Sequence, residues 1–137
     1  MTVDRFATGY QPDFDIDYEV GAQAELFVRD IIAALGTERV EIKNDVAARK
    51  YRSVYLETEC HYPRAGWKAT GINGTKAELW CHVLEGSIAI IAPLGLWQEA
   101  ALRGQRKECI RGDHPTKGVR IPLSQLLPWL IDSAPEW

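Results

Sequence analysis

Apolar and polar residues alternate strictly in two stretches of this chain. In Val40-Glu41-Ile42-Lys43-Asn44-Asp45, Val40 and Ile42 point one way, and Glu41, Lys43 and Asp45 the other. In Val54-Tyr55-Leu56-Glu57-Thr58-Glu59-Cys60, Val54 and Leu56 oppose Tyr55, Glu57 and Glu59. A period of two is the mark of a half-buried strand. The pattern predicts strands at about 39–45 and 53–60, paired as a hairpin through the loop 46–52. Before them the period is helical: Ala24, Phe27, Val28, Ile31, Ile32 and Leu35 form one stripe over 20–35, and Gly36 is a natural stop. Residues 1–12 read as a loose arm. Phe14, Ile16 and Tyr18 alternate with Asp13, Asp15 and Asp17, which suggests a short strand or extended lead-in.

The second half is read less directly. Residues 61–74 hold Pro63, Gly66, Gly71 and Gly74 and read as irregular. Thr75 with Glu78 three residues on matches a capping box, predicting a helix over 76–84. The nearly all-apolar run 87–92 suits a strand covered on both faces. A helix over 96–103, a basic glycine-containing loop over 104–117, a strand at 119–121 and a helix over 122–131 follow. Pro128 disturbs the end of the last helix. No repeat or linker divides the chain. The order predicts one α/β (α+β) domain, residues 1–137, around a small mixed central sheet.

Composition changes this picture little. With 137 residues, 46% hydrophobic and 26% charged, the chain is long enough for a proper core. No apolar run nears the roughly 20 residues of a membrane span, and the N-terminus lacks the pattern of a signal peptide. Cys60, Cys81 and Cys109 are odd in number and lack CxxC spacing, so a reducing, cytoplasmic setting is expected. A net charge of −3 argues against a protein that coats nucleic acid nonspecifically. It leaves room for a nuclease, whose acidic residues are offset by bound cations.

The charges on the two strands carry the candidate chemistry. If the strands pair with their apolar faces in register, four carboxylates and one ammonium share a face. Sheets normally mix signs across strands. A hard divalent cation is a common reason to gather carboxylates. Glu25 lies on the flank of the first helix's stripe, where a helix packed on the sheet could aim it at the same edge. The competing readings are a solvated hairpin face, and an i,i+4 pair of Glu25 with Arg29. The loop cations Arg49, Lys50 and Arg52, together with Lys68, suit phosphate contacts. Trp67 is the aromatic best placed to stack a base.

A helix glutamate, a strand ending in Asp45, and Glu57-x-Glu59 twelve residues later resemble the PD-(D/E)XK nuclease superfamily, which includes restriction endonucleases and archaeal Holliday-junction resolvases. A phage-associated branch is similar over about residues 13–127, through Gly71, Ile72, Thr75, Ala77 and Trp80 and through Lys117-Gly118-Val119-Arg120-Ile121-Pro122-Leu123. The resemblance implies a restriction-endonuclease-like αβββαβ core and a metal-dependent endonuclease acting on DNA. It implies Mg²⁺ or Mn²⁺ held by Asp45 and Glu57, with Glu25 and Glu59 as further ligands. The family lysine stands two residues after the second acid, where this chain has Glu59. Lys43 is the candidate replacement. In an alternative register Glu41-x-Lys43 is the motif pair, with Asp15 or Asp17 as the first acid. The departure at Glu59 keeps open a noncatalytic nucleic-acid-binding or assembly module. Cutting both strands of a duplex would call for a homodimer, since one domain has one active site.

Overall fold

The computed structural model describes residues 12–110 and 114–134, without the side chains of residues 12–19. The fold is mixed α and β. The chain forms two compact units, Met1–Thr37 and Glu38–Trp137.

The first unit is described from Pro12 and is one helix, α1, Pro12–Ala34. It begins earlier than the stripe predicts, and the expected extended lead-in at 13–18 is helical. Proline at the first helical position has its φ preset for a helix. Most of the expected arm, residues 1–11, lies outside the described residues. Gly36, left-handed at φ 77°, ends the helix as its sequence position predicts. Phe27, Val28 and Ile32 of the stripe are exposed.

The second unit holds all seven strands found among the described residues. They are β1 (Val40–Asp45), β2 (Ser53–Tyr62), β3 (Gly66–Ala69), β4 (Leu79–Leu84), β5 (Ile88–Pro93), β6 (Gln105–Cys109) and β7 (Thr116–Pro122). Three helices join them: α2 (Ala48–Tyr51), α3 (Leu94–Ala101) and α4 (Leu123–Ser133), with a 3₁₀ turn at Gly71–Asn73. The strands lie in two sheets rather than one, in the orders β1-β4-β5 and β3-β2-β7-β6. β1, β2, α3 and α4 lie close to the positions the sequence pattern predicts, while α2 falls in the expected loop 46–52 and β7 begins three residues before the expected strand at 119–121. Pro128 sits inside α4.

The expected hairpin of β1 and β2 does not form. β1 runs parallel to β4, pairing Val40 with Leu79 and Asp45 with Leu84, while β2 is antiparallel to β3 and β7. The one-turn helix α2 occupies the loop between them and sends the chain from one sheet to the other.

The expected helix over 76–84 is the strand β4. Thr75 does not cap a helix: its hydroxyl accepts from the Ala77 N–H at 3.1 Å, two residues on. Glu78 accepts from the Arg39 guanidinium at 3.0 Å instead of reaching back. Leu79, Trp80, Cys81 and His82 are consecutively buried, as a central strand requires. The run 87–92, read as covered on both faces, forms the sheet-edge strand β5 and is largely exposed. The presumed loops at 61–74 and 104–117 contain the end of β2, β3, the 3₁₀ turn and β6.

One core serves both sheets. Val54, Leu56, Val119 and Ile121 come from the four-stranded sheet, and Trp80 and Ala92 from the three-stranded one. Ile72, Trp97, Leu126 and Leu130 fill the space between. The indole N–H of Trp97, fully buried, donates to the Trp80 carbonyl at 3.1 Å. Gly71 lets the 3₁₀ turn approach β2: at φ 55°, a β-carbon there would lie 2.1 Å from the Glu57 carbonyl oxygen.

Candidate functional site

Asp45 ends β1, and its carboxylate is committed to the protein itself. Oδ2 accepts from the Tyr55 backbone N–H at 2.9 Å and lies 3.0 Å from His82 Nε2. Oδ1 accepts from the Ala47 N–H at 3.3 Å. The far side of His82 fixes its tautomer. The indole N–H of Trp80 can only donate, and it reaches His82 Nδ1 at 3.2 Å. Nδ1 therefore accepts, and Nε2 carries the proton given to Asp45. His82 is wholly buried and the Asp45 side chain is 10% exposed. Burial alone would raise the Asp45 pKa. The hydrogen bonds from His82 and from the Tyr55 and Ala47 N–H groups outweigh it and hold the carboxyl below its ordinary 3.8. A chain of bonds thus ties β4 to β1 and β1 to β2, bridging the two sheets.

Within the second unit, the sequence-derived ligands Glu57 and Glu59 do not share a face. Glu57 pairs with Gly118 and Glu59 with Lys117, adjacent residues of β7. Adjacent strand residues face opposite ways, so the two glutamates leave the sheet on opposite faces. A bulge at Thr58 causes this. The Thr58 hydroxyl donates to the Lys117 carbonyl at 3.1 Å, and its own carbonyl accepts from the Thr70 N–H at 3.0 Å. Glu25 stands on α1, exposed, with Arg29 at 3.9 Å. Glu41 and Lys43 are exposed on β1. The side chains of Asp15 and Asp17 lie outside the described residues. Among the described residues no three His, Cys, Asp or Glu side chains gather as a ligand set. The donor arrangement does not fit the ion that the resemblance implies.

The expected phosphate-binding loop is partly consumed as well. Arg49 forms an ion pair with Glu85 at 2.9 Å. The Lys50 amine lies 5.3 Å from the Tyr51 ring centre, and the Arg120 guanidinium 4.6 Å. Arg52 is exposed and left-handed at φ 52°.

Cations and aromatics instead meet on the four-stranded sheet. The Lys117 ammonium sits 4.1 Å from the centre of the Trp67 ring. Trp67 also meets the edge of His61, with ring centres 5.2 Å apart. Lys68, exposed, is the next residue of β3. The register puts Lys117 between Glu59 on β2 and Glu108 on β6. Its amine rests on the tryptophan, and no ion pair joins it to either glutamate among the described residues. The strands of this sheet carry Lys68, Arg106, Lys107, Lys117 and Arg120 against Glu57, Glu59 and Glu108. The sequence pattern singles out Trp67 and Lys68 but marks neither Lys117 nor Arg106 as a site residue. Their neighbours are set by strand register, which leaves no local mark.

Comparison with protein-family models, with curated proteins and with solved structures finds no match for this chain. The site therefore rests on its own geometry. No described helix is long and apolar enough to cross a membrane.

Proposed function

We propose that this chain is a nucleic-acid-binding domain, the noncatalytic of the two readings its sequence supports. The observation that carries the proposal is the Lys117 ammonium held over Trp67 at the surface of a cation-bearing sheet. A cation beside a half-exposed aromatic offers a strand both of its general handles. The amine takes phosphate, and the ring takes the flat face of a base. Arg106, paired with Val119 two residues along β7, adds positive charge on the face that carries Lys117, while Lys68 and Lys107 place theirs on the opposite face. Asp45, the residue most needed for catalysis, is occupied by His82 and two backbone N–H groups.

Metal-dependent DNA hydrolysis is the second reading. It is favoured by one feature, the carboxylate of Asp45 kept ionised at the end of the strand that presents Glu41 and Lys43. Incubating plasmid DNA with the protein in Mg²⁺ or Mn²⁺ and in EDTA separates the two, alongside anisotropy of labelled DNA in EDTA. Binding without metal and an uncut plasmid are expected. Metal-dependent nicking by the wild type that disappears in Asp45→Asn would establish the nuclease reading instead.

A further inference from the structure

Behind Lys117, the core-side face of the four-stranded sheet and α3 leave a cleft of about 670 Å³, well within the range of small-ligand sites. Its walls include Ile72, Ala101 and Val119, which are apolar and fixed by the core. Its polar groups come in two kinds. Asn73 and Gln98 bring amides. Glu59 and Glu108 bring carboxylates on either side of Lys117. The Gln98 Nε2 donates to the Ile72 carbonyl at 2.8 Å, so the amide is held in place with its oxygen and second N–H unspent. Arg106 and Lys117 supply positive charge in the same cleft. None of these four charged groups is ion-paired to a described residue.

We propose that this cleft holds one nucleotide of a single strand, with the base between the apolar walls and the phosphate at Lys117 and Arg106. The inference rests on the nucleic-acid reading above and names its substrate class. Apolar walls suit the two faces of a base. Amides and carboxylates suit its edge, because a base presents both donors and acceptors there, and a carboxylate accepts from an exocyclic amine. A paired base would have to leave its stack to enter, at a cost an unpaired base does not bear. The cleft therefore favours single strands over duplex.

The test compares three labelled probes by fluorescence anisotropy in EDTA: a ten-nucleotide single strand, the same strand with abasic sites throughout, and its duplex. The proposal expects the intact strand to bind about tenfold more tightly than the abasic one, and more tightly than the duplex. Asn73→Ala, an exposed substitution, and Gln98→Ala should each shrink that gap, with thermal melts confirming the fold. Arg106→Ala, which removes a proposed phosphate contact and no base contact, should weaken both single-strand probes alike. Equal binding of intact and abasic strands, or an unchanged gap in Asn73→Ala, overturns the cleft while leaving a nucleic-acid surface standing. No binding of any probe by the wild type overturns both readings.

Discussion

At the scale of single residues, Asp45 governs how the site is read. It is the strand-end acid that sequence pattern marks for an ion, and the fold uses it as a structural acceptor. Asp45→Ala would leave two backbone N–H groups and the His82 Nε2–H without their acceptor. A hydrogen bond to a charged group contributes about 1.5–3 kcal/mol, so a loss of about 3 kcal/mol is expected in urea unfolding. The pH dependence follows from the lowered pKa. A carboxyl whose folded pKa lies below its unfolded value adds stability above that unfolded value, near 3.8. The contribution fades as pH falls through the folded pKa. The stability gap between wild type and Asp45→Asn should therefore be full at neutral pH and narrow below about pH 4. A constant gap from pH 7 to pH 3 would show that the carboxylate is not held ionised. Cys81 makes a simpler case. Burial pushes its thiol up from the ordinary 9.0, so it should be slow toward alkylating reagents in the folded protein, with mass mapping after partial labelling as the check.

At the scale of elements, the bulge in β2 and the 3₁₀ turn against it matter most. The alternation of Glu57 and Glu59 in sequence suggests one face, and the bulge at Thr58 puts them on two. A bulge adds one residue to one strand only, and its hydrogen bonds run to residues about 60 and 12 positions away. The turn at Gly71 is equally exacting. Gly71→Ala meets both a left-handed backbone and the Glu57 carbonyl oxygen. Gly36→Ala meets the left-handed backbone alone, in open space. A left-handed L-residue costs about 1–2 kcal/mol. Thermal melts should show Gly36→Ala mildly destabilised and Gly71→Ala clearly more so. Equal losses would mean that β2 yields to the turn. The strand β4 carries a further lesson. Thr75 and Glu78 satisfy a helix-start pattern, yet both side chains are engaged elsewhere, and the buried run from Leu79 to His82 prefers the middle of a sheet.

At the scale of the whole molecule, the core cluster formed by the described residues, from Val54 to Leu130, lies within Glu38–Trp137. A fragment beginning at Glu38 should therefore unfold in one cooperative transition, read by tryptophan fluorescence in urea. A non-cooperative or absent transition would show that α1 is required for that core. Electrostatics makes a second prediction at this scale. The chain's net charge is −3, so its attraction to nucleic acid must come from the local cations of the four-stranded sheet. Binding should weaken steeply with salt, since each phosphate contact releases counterions. Lys117→Ala should lower the slope of log affinity against log salt by about one. An unchanged slope would remove Lys117 from the interface.

The amino-acid sequence by itself determined where β1, β2, α3 and α4 lie and where α1 stops. Spacing within a dozen residues encodes those features: the alternation of Val40 to Asp45, the 3.6-residue stripe of α1, and Gly36 with its freedom at positive φ. It also marked Trp67 as the aromatic placed to stack a base and Lys68 as a candidate phosphate contact. Only the tertiary structure decided which strands pair, that Leu79–Leu84 rather than the run after Ser87 is central, and that Lys117 reaches Trp67 while Asp45 reaches His82. Partners in a sheet are chosen by which apolar faces close one core together, and that choice joins residues tens of positions apart. A side chain's role then follows from the neighbour that choice supplies: His82 makes a structural acceptor of a carboxylate whose sequence setting equally suited an ion.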